Sequence, residues 1–395
     1  MNLRRLSSVS LGHLAIDILS SSVAMILTVL AVPFDLSNSQ IGVGVMVYQF
    51  VGSLTQPYFG VLADRMGGRW LGAAGLAWTA TFYFAATFAS SYPVLLLLMS
   101  LAALGSAAFH PQGAMNASSA GGVRSSSSTA IFFLLGQTGL ALGPALAGIL
   151  LESSGLAGVR ILAAASLPVV FLMAFWLYQP ASLSQRQASG GGKQAARSDL
   201  RRSVFVAFVL VVALRATMQS GYYGLLPKFL ADSGYSPSTY GLMVGIFSLT
   251  LAIGTLGGGI LGDHISHRTL LIWACLLSTP FAIWMLYSSG WAFGVAAAIG
   301  GLLVGVPHSI LVVMAQNLLP KRQGLASGAV LGFMFASGAA GTGLAGWAAD
   351  YVTLPTVLLV IALLPVGAGV AAFFLERDVV PHAVAVAAPV PGVGR

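Results

Sequence analysis

Five ionisable side chains lie inside long apolar runs and are the residues of this chain best placed to do chemistry: His13, Asp17, His110, Arg215 and His308. A charge at the centre of a bilayer costs at least about 2.5–3.5 kcal/mol on insertion scales, so such groups mark a pathway, a proton relay or a polar contact between helices. His13 and Asp17 are four residues apart and share one helix face. At about 1.5 Å per residue, Asp17 sits roughly 15 Å into its run, near a membrane midplane. A half-buried imidazole titrates near neutral pH, so Asp17 assisted by His13 or His110 reads as a proton-coupling site. Arg215 with His308 reads as a substrate site, because a guanidinium presents a planar fork of donors to carboxylate or phosphonate oxygens. The alternative is a polar network that only ties helices together, at about 0.6 kcal/mol per contact.

The elements that must hold these groups are membrane helices. Of 395 residues, 57% are hydrophobic and only 7% charged, with a mean hydropathy of +0.89, whereas a soluble domain carries roughly a quarter charged residues. A spanning helix needs about 20 mainly apolar residues. Twelve such stretches fall near 8–32, 39–63, 70–90, 93–117, 125–151, 157–178, 202–227, 236–262, 269–288, 291–318, 324–349 and 353–375. Pro111 follows His110 and Pro307 precedes His308, so a helix disturbance is expected at each. Arg4 and Arg5 before the first run imitate a signal peptide, but the run is longer than a secretory core and reads as an uncleaved helix.

The chain is a duplication. GVLADRMGGRWL from Gly60 to Leu71 matches GILGDHISHRTL from Gly259 to Leu270, which pairs Asp64 with Asp263 and Arg69 with Arg268 at an offset of 263 minus 64, or 199. On that offset Arg215 falls opposite position 16, one residue from Asp17. Duplicated helix bundles are a common plan for secondary transporters with a central site. The expected fold is an all-α integral membrane protein, with bundles of six helices at 1–178 and 201–375, a Gly-rich cytoplasmic linker at 179–200 and a cytoplasmic tail at 376–395.

The net charge of +8 follows from topology and requires no nucleic-acid partner. With the N-terminus inside, the inner segments hold nearly all the bases, including Arg4, Arg5, Arg65, Arg69, Arg124, Arg202, Arg268, Lys321 and Arg322; the outer loops hold only Arg160 and Lys228. Basic residues are retained on the cytoplasmic side. Both termini are therefore expected to be cytoplasmic, in a multi-pass protein of a plasma membrane such as the bacterial inner membrane. The single Cys275 leaves no intrachain disulfide or cysteine metal site.

The paired loops between two six-helix halves resemble the major facilitator superfamily. A closer resemblance, to the fosmidomycin-resistance type of drug exporter, rests on several further runs. These are GHLAID at Gly12 to Asp17, SLTQPYFG at Ser53 to Gly60, GSAAFHPQGA at Gly105 to Ala114, LGPALAG at Leu142 to Gly148 and AQNLLPKRQGLASG at Ala315 to Gly328. In that superfamily the loop with Asp64 latches the cytoplasmic side against helix eleven. The resemblance thus implies gating roles for Asp64, Arg65, Arg69 and Arg124, and for Asp263 and Arg268 in the second copy; a solvated ion pair is the simpler reading. Where the resembling family often has an acid after the His-Pro of helix four, this chain has Gln112, so a second cavity carboxylate is expected to be missing.

Helix five carries Gly136, Gly139, Gly143, Pro144 and Gly148, and helix eight Gly254, Gly257, Gly258 and Gly259. Small residues let helices approach closely, and helix eight is expected to offer a surface matching helix five. Gly143 and Pro144 resemble the antiporter motif of drug exporters, which implies export and a gating role. Gln49, Gln56, Asn116, Gln137, Gln219, Tyr222, Tyr223 and Gln316 are candidates to line the pathway, although Tyr222 and Tyr223 serve equally as interface anchors.

No Walker loop, zinc motif or catalytic triad is legible, so an enzyme, a cofactor and a metal are not expected. The function expected is proton-coupled antiport that exports a small anionic or amphipathic compound, a fosmidomycin-like drug or metabolite, by a monomer. An organic-anion uptake symporter and a membrane sensor without flux are the alternatives.

Overall fold

The computed structural model describes residues 1–66, 70–121, 125–177, 202–262, 264–318 and 323–376. The expected linker, most of the tail, and Arg69, Arg124 and Asp263 lie outside the described residues, as do Lys321 and Arg322. The side chains of Asp64, Arg65 and Gln316 are likewise outside them.

Among the described residues the chain folds into thirteen helical segments and no strand. They are α1 (Leu3–Ser21), α2 (Val23–Leu30), α3 (Asn38–Met66), α4 (Leu71–Ala86), α5 (Tyr92–Gly121), α6 (Ser125–Trp176), α7 (Arg202–Asp232), α8 (Pro237–Gly262), α9 (His267–Leu286), α10 (Gly290–Gly305), α11 (Pro307–Leu318), α12 (Gln323–Ala349) and α13 (Leu354–Ala372). Among the described residues nine stretches are long and apolar enough to cross a membrane by length and composition, among them Leu3–Leu30, which joins α1 to α2, and Gly290–Ala315, which joins α10 to α11.

Twelve crossings follow from three further observations. One stretch, Ile131–Trp176, runs 46 residues and folds back at Gly155, whose φ of 56° and ψ of −147° are open to glycine and strained for other residues. The α4 helix is apolar but only 16 residues long. The 29-residue α3 is long enough but diluted by Gln49, Ser53, Thr55 and Gln56. Large apolar side chains cover the outside, with Phe171, Phe175, Leu256 and Ile260 more than half exposed, as a lipid-facing surface requires.

The two proline expectations divide. Pro307 opens α11 after a break at Val306, where its missing N–H costs little. Pro111, by contrast, lies within an unbroken α5.

The helices α1–α6 and α7–α13 make two bundles of six crossings. Among the described residues one hydrophobic core is shared between them and two are confined to a single bundle each. The shared core joins Met25, Val45 and Tyr48 of the first bundle to Met218, Tyr222 and Phe247 of the second. Toward the face that carries Met1, the terminal face, the cores are separate: Leu6, Val9, Phe109 and Phe132 in one bundle, Phe208, Val211, Ile310 and Met334 in the other. Among the described residues the apolar cores of the two bundles thus join toward the distal face and are separate toward the terminal face.

Glycines make the close approaches. Gly136, Gly139 and Gly143 of α6 lie directly on His13, Leu14 and Ile18 of α1, and Gly148 on Pro237 and Gly241 of α8. Gly42 of α3 meets Gly346 of α12 at 2.9 Å from where a Cβ would stand. The surface that α8 offers to α6 is therefore Gly241 and Gly245. The expected stripe faces elsewhere: Gly254 and Gly258 pack on Leu302 and Val306, inside their own bundle. Gly143→Val is expected to lower thermal stability, because its Cβ would run into Ser21 Oγ and stand 2.6 Å from the Ile18 carbonyl. Overpacking of this kind costs about 1–3 kcal/mol; a melting curve in detergent with an unchanged midpoint would contradict the contact.

Candidate functional site

Asp17 stands between two histidines, of which His13 is buried and His110 partly exposed. His13 Nε2 lies 3.3 Å from Asp17 Oδ2, and His110 Nε2 of α5 lies 3.4 Å from Oδ1. One helical turn sets the first contact; the packing of α5 on α1 sets the second. The opposite ring nitrogens fix the tautomers. His13 Nδ1 is 2.8 Å from the Phe132 carbonyl, and His110 Nδ1 is 2.8 Å from the Ser106 carbonyl. A carbonyl only accepts, so both Nδ1 atoms carry hydrogen and both Nε2 atoms face the carboxylate. Each Nε2 contact is favourable only with a proton between the two atoms. The triad therefore holds two nitrogen-to-oxygen contacts on one carboxylate, each of which needs a hydrogen between its atoms. Its three ligand atoms lie within 4.8 Å of one another and could also ligate a small cation. Phe132 stacks on His13 at 4.0 Å between ring centroids and holds it in place.

The second bundle carries a cluster of opposite charge. Arg215 Nη2 and Nε donate to the Val304 carbonyl at 3.0 and 3.3 Å, and Nη1 donates to His308 Nδ1 at 3.2 Å. The break between α10 and α11 supplies that carbonyl, since the last turn of a helix leaves acceptors unpaired. Arg215 is 3% exposed, and among the described residues no carboxylate pairs with it. An anion entering here meets a guanidinium whose charge is uncompensated.

The two clusters are images of each other under the internal repeat. From Asp17 to Arg215 is 215 minus 17, or 198, and from His110 to His308 is 308 minus 110, again 198. For these helices the offset is one residue less than that of the matched loops, and on it Asp17 and Arg215 fall at equivalent positions. They are not partners. Each is bound to a histidine of its own bundle, which makes two separate clusters.

The remaining candidates divide by burial. Gln49, Gln137, Gln219 and Tyr223 are partly exposed, and Gln49 Oε1 and Gln219 Oε1 lack a protein partner. Tyr223, partly exposed on α7, meets the Phe247 ring edge-on at 6.3 Å between centroids. Its neighbour Tyr222 is fully buried and donates to the Ala282 carbonyl at 3.2 Å, packing α7 on α9. Asn116 is buried and accepts from Arg5 Nε at 2.7 Å, which ties α1 to α5 near the terminal face. Of the gating candidates that are described, Arg268 lies 5.9 Å from the Phe373 ring of its own bundle, while Gly143 and Pro144 are buried in the contacts of α6.

Gln112 is buried against Gly72 of α4, with neither side-chain polar atom partnered. Its position points into the first bundle, so an acid there would not add a carboxylate to the cavity. Sequence reasoning missed Tyr48, whose hydroxyl donates to Ser20 Oγ at 2.9 Å. It also missed Glu152 and Asp350, which bond across the bundles.

The comparisons agree with this architecture. The sequence profile of the Major Facilitator Superfamily matches residues 9–236 and again 208–391. The chain is 30% identical to the Fosmidomycin resistance protein of Escherichia coli (strain K12) over 370 residues, 91% of this chain and 90% of that one. It is 30% identical to the uncharacterized MFS-type transporter YfnC of Bacillus subtilis (strain 168) over 380 residues, 94% and 92% of the two chains. Among solved structures, a bacterial homolog of the human lysosomal transporter Spinster, inward-facing and occupied, superposes with a TM-score of 0.78 at 15% identity, covering 93% of this chain and 95% of that one. The nucleoside transporter NupG superposes with a TM-score of 0.73 at 14% identity, covering 94% and 98%. The chain belongs to the major facilitator superfamily, a family of membrane transporters for small molecules and not of enzymes.

Proposed function

We propose that this transporter is a proton-coupled antiporter that exports a small anionic or amphipathic compound. The observation that carries the proposal is the charge reversal at one repeat position: Asp17 with two histidines in one bundle, Arg215 with one histidine in the other. A proton site and an anion site in separate bundles respond to the same rocking motion, which is what coupling requires. The unpartnered oxygens of Gln49 and Gln219 and the hydroxyl of Tyr223 offer further polar contacts. The relation to the Fosmidomycin resistance protein supports a fosmidomycin-like drug or metabolite as cargo and export as direction.

The excess of bases among terminal-face segments supports cytoplasmic termini. On that orientation the side on which the two cores separate faces the cytoplasm, which supports an inward-facing reading. Protons entering at Asp17 from outside and leaving to the cytoplasm gain about 2.3 kcal/mol per charge per 100 mV. The test is fosmidomycin flux in vesicles under an imposed pH gradient. Antiport predicts movement against the drug's own gradient that an uncoupler stops; movement in the direction of the protons would support a symporter, and binding without flux a sensor.

Asp64 enters as a latch of the terminal side when that side closes. Asp64→Asn is expected to slow cycling several-fold without abolishing substrate binding, because a latch acts on the balance of states and not on the cavity. Transport rate and binding affinity measured on the same preparation check this; loss of binding with unchanged state populations would contradict it.

A further inference from the structure

The distal face is held shut by two contacts of the same kind. Glu152, at the distal end of the first arm of α6, accepts a hydrogen bond at 2.8 Å from the backbone N–H of Ser238, in the first turn of α8. Asp350, just past the distal end of α12, accepts one at 3.0 Å from the backbone N–H of Ser39, in the first turn of α3. Each contact crosses from one bundle to the other, in opposite senses: an acid of the first bundle on a helix of the second, and an acid of the second on a helix of the first. From Glu152 to Asp350 is 350 minus 152, or 198, the separation that relates Asp17 to Arg215. The two acids are therefore equivalent positions of the repeat.

The chemistry of both contacts is the same. The first turn of a helix has unpaired N–H groups and the positive end of the helix dipole, and a carboxylate there is favoured on both counts. Polar groups flank each contact. Beside Glu152 the Ser236 and Ser238 hydroxyls lie 3.3 Å apart, and beside Asp350 the Asn38 Nδ2 donates to the Ala349 carbonyl at 3.4 Å. Just below them lie the glycine contacts Gly148 to Gly241 and Gly42 to Gly346, where the helices are closest. The acids thus cap the seam at its outer end, and both caps must break for the distal side to open.

We propose that Glu152 and Asp350 are a matched pair of clasps that set the stability of the distally closed state. They determine how often the transporter opens to the distal side, whatever groups carry protons and substrate at the centre. A carboxylate at a helix start shifts an equilibrium roughly two- to fivefold, so each clasp is expected to favour closure by that factor. Lying at opposite edges of the seam, the two effects should multiply.

The test measures distances across the distal face in the full chain. The buried Cys275 is replaced by serine, and spin labels are placed on Ser90→Cys and Ser289→Cys, exposed positions in distal loops of the two bundles. In the parent the shorter distance should dominate. Glu152→Gln and Asp350→Asn keep size and an oxygen acceptor but remove the charge; each should raise the longer-distance population roughly two- to fivefold, and the double variant by about the product. Glu152→Asp retains the charge on a shorter arm and should shift less. Asp232→Asn, which neutralises a distal acid paired with Lys228 of its own helix, should leave the distribution unchanged. A folded double variant with the parental distribution overturns the proposal, as does an equal shift from Asp232→Asn.

Discussion

Asp17→Asn is expected to abolish accumulation of substrate against its gradient while exchange of substrate down its gradient continues. Asparagine nearly preserves the shape of the side chain, so α1 should keep its place against α5 and α6. The lost property is the shared proton. Both His13 and His110 present an Nε2 to the Asp17 carboxylate because their Nδ1 hydrogens go to the carbonyls of Phe132 and Ser106. An amide can donate to one Nε2, but it neither binds nor releases a proton over the working pH range. Without that exchange the two directions of movement are no longer tied to the proton gradient. Counterflow and gradient-driven uptake, measured in the same vesicles, separate the two properties. Full accumulation by the variant would contradict the role of Asp17.

Arg215→Gln is expected to weaken binding of an anionic ligand by roughly 10- to 100-fold, from the about 1.5–3 kcal/mol carried by a hydrogen bond to a charged group, and to leave a neutral ester of the same ligand almost unaffected. Glutamine can still donate to the Val304 carbonyl and His308, so the helix contacts seen in the structure are retained. It has no charge and no second fork of donors. Arg215→Lys should recover only part of the affinity, since it restores the charge without the planar pair. Equal losses for the anion and its ester would indicate that Arg215 only holds α7 against α10.

Much of the fold was legible because each observation repeats. Two matching loops and twelve apolar runs are enough to propose a doubled bundle, and a charged residue inside an apolar run stands out whatever surrounds it. The exact register was not legible. The loops are 199 apart, while the central pairs and the distal acids are 198 apart, and a one-residue difference of this kind can be placed only when the helices are seen side by side.

Glycine patterns carry a similar limit: they show that a helix has a smooth face, not which neighbour meets it. Gly143 meets α1 and Gly148 meets α8, whereas Gly254 and Gly258 turn inward to α10 and its junction with α11. Tyr222 and Tyr223 are adjacent in sequence, yet successive positions on a helix point about 100° apart, so one is core and the other is partly exposed. Glu152 and Asp350 gave no signal at all. Their partners are 86 and 311 residues away and contribute backbone N–H groups, which no residue pattern marks.

The central claim is that substrate and proton sites exchange occupancy, and it is tested most directly by proton release. Fosmidomycin is added to the purified transporter in weak buffer near neutral pH, and the pH of the solution is followed with an indicator dye. Wild type should release protons in proportion to the drug bound, and Asp17→Asn should bind the drug with little or no release. Binding by wild type without proton release, or release by Asp17→Asn equal to that of wild type, would contradict the account.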